Sequence, residues 1–269
     1  MDLDLELLLL KVAIAPAFIG ILSLIALRYG HRAAGWLVAL PVKTGTVIFI
    51  LTLTEGPTFA ASAALGALLA IVSLSAFTIG YALSAARYRW PTCLGVAAAG
   101  FVVSTLVLDQ VSEFVIVAFV GSVLAVVIVL AVLPKRDELA KATPAPRWEI
   151  PLRMLTAAVL VLGITTAAES LGPRLSGLLS PIPVFTVTLV IFTHSREGPA
   201  PVLVFLRGLQ YGLFSFAAFC AVVAVLLMPY GLGIAMGAGL GAFLGVFGLV
   251  RTVWNRTPPG PGTVSHTTP

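Results

Sequence analysis

The chain has 269 residues, 59% of them hydrophobic and only 10% charged, with a mean hydropathy of +1.08 and a formal net charge of +5. A soluble domain carries roughly 25% charged residues to wet its surface, so a water-soluble enzyme, a nucleic-acid-binding domain and a disordered chain are excluded together. The basic excess therefore reads as membrane orientation, not as a nucleic-acid footprint.

The chain opens on the acidic run Met1-Asp2-Leu3-Asp4-Leu5-Glu6. It has no basic leader and no small-residue cleavage site, so the first apolar run, 7–27, is expected to be a permanent helix. Further apolar runs fall at 34–53, 57–83, 91–108, 112–133, 150–168, 178–194, 199–228 and 231–250. Each approaches the ~20 residues that cross a hydrocarbon core. Alternating barrel strands are absent, and lipid demands internal backbone hydrogen bonds. The expectation is an all-α membrane protein with nine transmembrane helices. Residues 253–269, rich in Pro, Gly and Thr, read as a disordered tail.

Basic residues set the orientation. With the N-terminus outside, Arg28, Arg32, Arg87, Arg89, Lys135, Arg136, Lys141, Arg147, Arg196, Arg251 and Arg256 face the cytoplasm, and only Arg174 stays outside with most of the acids. That bias is the positive-inside pattern. It implies a bacterial plasma-membrane protein whose tail is cytoplasmic.

Shifting the chain by 142 lays residues 30–77 on 172–219 without a gap, with 15 identities in 48 positions. They include Arg32/Arg174, Pro41/Pro183, Thr44/Thr186, Thr46/Thr188, Gly66/Gly208, Ser73/Ser215 and the triplets Glu55-Gly56-Pro57 and Glu197-Gly198-Pro199. Outside this window Lys11 falls on Arg153. The sequence thus divides into a first repeat of four helices (1–110), a linker transmembrane helix (111–134), a cytoplasmic loop (135–148), a second repeat (149–252) and a tail (253–269). The extra helix makes the second repeat enter from the opposite side. Two inverted four-helix repeats joined by one helix follow, a plan common among secondary transporters.

The string Arg32-x-x-Gly35-Trp36-Leu37-x-x-x-Pro41, followed by Glu55-Gly56 and a long helix, resembles the GlpM-type small integral membrane family. Lys11 and Arg153 match that family's basic position in helix one. The resemblance covers both repeats and implies two fused four-helix units, with a link to exopolysaccharide production. In plan alone, a fused inverted pair is also similar to the small multidrug-resistance and drug/metabolite transporters.

Candidate chemistry concentrates in few residues. Pro41 and Pro183 interrupt short spans at matching positions, with Thr44, Thr46, Thr186 and Thr188 following. Such breaks point to a midplane binding site; packing kinks with back-bonded threonines are the alternative. Lys43 and Arg207 lie inside spans, where a charge costs about 2.5–3.5 kcal/mol or more, and read as substrate-binding cations or as structural, snorkelling side chains. Glu55, Glu197, Lys11 and Arg153 read as gating or coupling residues, or as helix-end charges. Gly233, Gly237, Gly241 and Gly245 form a small-residue stripe expected to pack helices or protomers, making 231–250 a homo-oligomer contact. His31, His194 and His266 lack ligand spacing, and Cys93 and Cys220 read as buried small hydrophobes. No metal, cofactor, nucleophile or nucleic-acid partner is expected.

The leading expectation is a transporter or flippase-type carrier for a small anionic or lipid-linked solute, working by alternating access. The alternatives are a non-transporting component assisting polysaccharide or lipid biosynthesis, and an intramembrane enzyme acting on a lipid-linked substrate. A carrier should show a polar pocket holding Lys43 and the Pro/Thr pair, whereas a scaffold should show a dry interior and an exposed apolar face.

Overall fold

The computed structural model describes residues 2–108, 114–134, 148–163 and 183–256, the side chains of 2–15 and 253–256 excepted. The described residues are helical throughout, with no strand among them. In chain order the helices are α1 (Asp2–Tyr29), α2 (His31–Val38), α3 (Val42–Thr54), α4 (Pro57–Ser84), α5 (Trp90–Leu108), α6 (Val115–Val132), α7 (149–163), α8 (Val184–Glu197) and α9 (Pro199–Arg256).

Five stretches are long and apolar enough to cross a membrane: His31–Thr54 (α2 with α3), α4, α5, α6 and Pro199–Thr252. Large apolar side chains cover their outer faces; Ile116, Phe114, Leu53 and Leu83 are 66–78% exposed. A soluble protein would bury such a band. An all-α membrane protein is the class these features define.

α9 is not one rod. Its helical geometry breaks at Gly231, and the chain folds back there. A side chain added at Gly239 would meet Val223 and Phe219, and Trp36 touches both Tyr211 and Phe247. The limbs 199–230 and 232–256 therefore lie side by side, each longer than the ~20 residues a bilayer needs.

Two contact sets define two ends of the bundle. At one end Tyr81 reaches His194, His31 reaches Glu197, and Arg207 reaches Leu133. At the other, Thr58 Oγ1 lies 3.4 Å from Met228 Sδ. α4 and the first limb of α9 thus run antiparallel over their whole length. The first end, which gathers Arg28, Arg32, Arg87, Arg89 and Arg196, is called the basic end below.

The repeated triplets adopt one local geometry. Gly56 (φ 93°) and Gly198 (φ 83°) each sit between a helix end and a helix opened by proline. Only glycine takes this φ without strain, and proline suits a first helical position because its missing N–H has no intrahelical partner there. The two copies nevertheless lie at opposite ends of the bundle, a helix length apart.

α2 is seated on α9 by backbone approach. A Cβ at Gly35 would lie 2.1 Å from the Phe205 carbonyl oxygen, and one at Gly208 would lie 2.3 Å from the Arg32 carbonyl oxygen. Gly212 is blocked in the same way by Ala39 and Trp36. In lipid, helices associate through such close packing and not through hydrophobic exclusion.

The stripe Gly233, Gly237, Gly241 and Gly245 is exposed, and nothing lies within 4 Å of an added Cβ at any of the four. These glycines do not pack helices within the chain, because the fold turns them outward. The glycines that do so are Gly35, Gly208, Gly212 and Gly239.

Candidate functional site

Two polar regions lie inside this apolar bundle. The first is a layer midway along the crossing of α4 with the first limb of α9. Gln210 is fully buried; its Nε2 donates to Thr78 Oγ1 at 2.9 Å, and Ser75 Oγ donates to its Oε1 at 3.3 Å. Ser73 Oγ lies 2.9 Å from Thr105 Oγ1 on α5. These pairings, with Thr58–Met228, bring the repeat-equivalent serines Ser73 and Ser215 to about the same level. Both are buried. The hydroxyl of Ser215 has no hydrogen-bond partner, and neither does that of Thr186 on α8. A buried unpaired hydroxyl is disfavoured by about 1–3 kcal/mol, so these two groups are open to a polar ligand.

The second region is a charged cluster at the basic end, organised by the last turn of α8. His194 Nδ1 is 2.6 Å from the Tyr81 hydroxyl on α4. Glu197 is 3.1 Å from His31 Nε2 at the start of α2, with both side chains at most 8% exposed. Glu149, fully buried at the start of α7, accepts from Arg196 and from Arg153 Nε at 3.0 Å. Arg153 also lies over the Phe192 ring at 5.4 Å. One helical turn thus ties α2, α4 and α7 together through three separate contacts.

Every residue singled out from the sequence can be placed except Lys11, whose side chain lies outside the described residues. Pro41 and Pro183 do not kink a helix midway; they precede the first residues of α3 and α8. Thr46 and Thr188 bond back to the carbonyls of Val42 and Val184 at 2.8 and 2.9 Å. That satisfies their donors locally, as the packing alternative expects. Thr186 and Thr188 are buried, Thr44 is half-buried and Thr46 is exposed. α3 and α8 do not touch among the described residues, so the two Pro/Thr sets do not form one pocket.

Lys43 is exposed on the outer face of α3, between exposed Val42 and Val47. Arg207 is buried (5% exposed), but its Nη1 donates to the Leu133 carbonyl at 2.7 Å and so closes the C-terminus of α6. The two cations are not neighbours. Glu197 and Arg153 enter the basic-end cluster, whereas Glu55 is exposed with no hydrogen bond or ion pair among the described residues.

Sequence reasoning missed His31, Tyr81, Glu149, His194 and Gln210. Gln210 carried a visible signal, a lone amide within an apolar run. The others sit at helix ends, where single polar residues are ordinary and only the fold brings them together. Cys93 and Cys220 are buried as expected. No group of three or more metal-ligating side chains occurs among the described residues. Comparisons with protein families, curated proteins and solved structures find no match to this chain.

Proposed function

We propose that this chain is a membrane carrier working by alternating access between two inverted four-helix units. Its cargo is a small anionic or lipid-linked solute, and it spans the membrane nine times with the basic end in the cytoplasm. One observation carries the reading: the repeat-equivalent triplets Glu55-Gly56-Pro57 and Glu197-Gly198-Pro199 share one backbone geometry yet sit at opposite ends of the bundle. A duplicated unit inserted in opposite senses forms one gate at each face of the membrane. The polar layer at Ser73, Gln210 and Ser215 lies where α4 crosses its repeat equivalent, the position such carriers use for substrate. The two ends also differ in state, Glu197 being engaged and buried while Glu55 is exposed.

The anionic preference rests on hydroxyl and amide donors in the layer, with Arg207 one helical turn from Gln210. Donors of this kind fit phosphate or carboxylate oxygens. The GlpM-like pattern and a homo-oligomer through the outward glycine stripe belong to the same proposal. The test is thermal stabilisation in detergent by inorganic phosphate, succinate and a polyprenyl phosphate, followed by uptake into proteoliposomes. A ligand at 100 times its Kd stabilises the folded form by about 2.7 kcal/mol. Uptake of one of these anions, lost in Gln210→Leu, supports the carrier. Failure of every probe to stabilise or enter rejects an anion carrier.

A second reading has its own observation. Lys43 faces outward from an exposed apolar helix, and no polar cavity containing it occurs among the described residues. That arrangement favours a non-transporting component whose α3 face meets another membrane protein of a polysaccharide or lipid biosynthetic assembly.

A further inference from the structure

We infer that His31 and Glu197 form a proton-binding site that latches the basic end, so that the coupling ion of the proposed carrier is H⁺. The inference rests on the carrier reading for its purpose but not for its chemistry. His31 lies in the first repeat and Glu197 in the second, and their 3.1 Å contact joins the two units directly. Both side chains are withdrawn from solvent.

The contrast with the neighbouring acid identifies the labile position. Glu149 is neutralised by the guanidinium groups of Arg153 and Arg196, which stay protonated at any physiological pH. Its contacts are permanent. Glu197 instead meets an imidazole, the side chain whose ordinary titration lies between pH 5 and 8. With His31 protonated, imidazolium and carboxylate form a neutral, hydrogen-bonded pair that a low-dielectric site tolerates. With the proton gone, the same closure buries a carboxylate beside a neutral ring, and a buried charge lacking a full partner is strongly disfavoured. Proton binding therefore favours the closed basic end. Proton loss to water favours separation of α2 from α8.

The surrounding charges agree with this direction. α1 presents Arg28 near the start of α2, α2 itself carries Arg32, and α9 brings Arg207, so positive groups crowd the pair and hold Glu197 as the anion that the imidazolium meets. From α8, Arg196 is committed to Glu149 of α7, and His194 to Tyr81 of α4. His194 precedes Glu197 by three residues and shares its helix face. The Tyr81–His194 pair thus gives a second group through which a proton can pass between the bundle and the latch. A sodium site would need several oxygen ligands, whereas this pair offers one carboxylate and an imidazole.

The experiment uses the full chain in nanodiscs with spin labels at Tyr29→Cys and Ser195→Cys, in a background lacking Cys93 and Cys220. Pulsed dipolar distances across the basic end are recorded from pH 5 to pH 8. The short-distance population should fall at least threefold as pH rises, and His31→Gln should remove that response. Glu197→Gln, which keeps size and a hydrogen-bonding group, should remove it too and guards against a folding defect in the first variant. A pH-independent distance in the parent, or an unchanged pH response in either folded variant, overturns the site. No transport is measured, so the two readings fail separately: a pH-responsive end in a protein that moves nothing rejects the carrier alone, and uptake with a pH-silent end rejects the latch alone.

Discussion

Glu55 and Glu197 occupy the same place in two copies of one sequence unit, yet they live in different surroundings. Glu197 is buried at the basic end and meets His31 across the repeat boundary. Glu55 closes α3 at the far end and is exposed. The flanking helices repeat the contrast: Gly208 is pressed against the Arg32 backbone, while nothing lies within 4 Å of an added Cβ at its counterpart Gly66. Local geometry in both copies is the same, so the sequence unit dictates the turn and the first helical residues. Burial and partner are dictated by which end of the bundle the copy reaches.

The comparison breaks most easily at the glycines. Gly208→Leu should prevent α2 from docking, with no monodisperse protein recovered on size exclusion, because its first carbon already overlaps the Arg32 carbonyl. Gly66→Leu should leave the melting temperature within about 2 °C of the parent, consistent with a surface change of about 0.5 kcal/mol or less. Equal sensitivity of the two positions would show that the copies are packed alike.

Next in size is the buried carboxylate of Glu149. Glu149→Gln leaves two guanidinium groups without their counter-charge, and breaking a buried pair in this way costs about 3–5 kcal/mol. Urea or thermal unfolding in detergent should register a loss of that size. A loss below about 1 kcal/mol would show that water reaches the cluster and screens it.

Smaller effects sharpen the contrast between the acids themselves. Glu197→Ala should destabilise by about 1–3 kcal/mol, since it leaves a buried imidazole without its acceptor. Glu55→Ala should stay within about 0.5 kcal/mol. The smallest effect on the fold is expected at Gly237→Leu, which meets nothing within the chain. Monomer stability should be unchanged. If the outward stripe joins two copies, the oligomer seen by native mass spectrometry should dissociate.

Most of the class was legible from composition and run lengths, because lipid leaves a polypeptide few options. The repeat was legible as well, down to the turn at Gly56 and Gly198, since a positive-φ glycine followed by proline is a local device. The site was legible only in part. Pro41 and Pro183 were correctly paired as repeat equivalents, but proline at a helix start and proline within a helix look alike in a sequence. Lys43 was taken for an interior cation because a linear reading gives depth along a span and says nothing of which face the helix turns inward. The glycine stripe misled for the same reason: four small residues at helical spacing mark a face, and only the fold assigns its neighbour. His31, Tyr81, Glu149 and His194 come from four different helices, and no periodicity within any one of them announces the cluster.

The central claim is that two units of one design lie in the membrane in opposite senses. Cysteines placed singly at Glu55 and at Ser195, in a background lacking Cys93 and Cys220, test it when intact cells and inside-out vesicles are exposed to a membrane-impermeant maleimide. The account predicts that position 55 labels only in intact cells and position 195 only in inside-out vesicles. Labelling of both positions from the same side would contradict it.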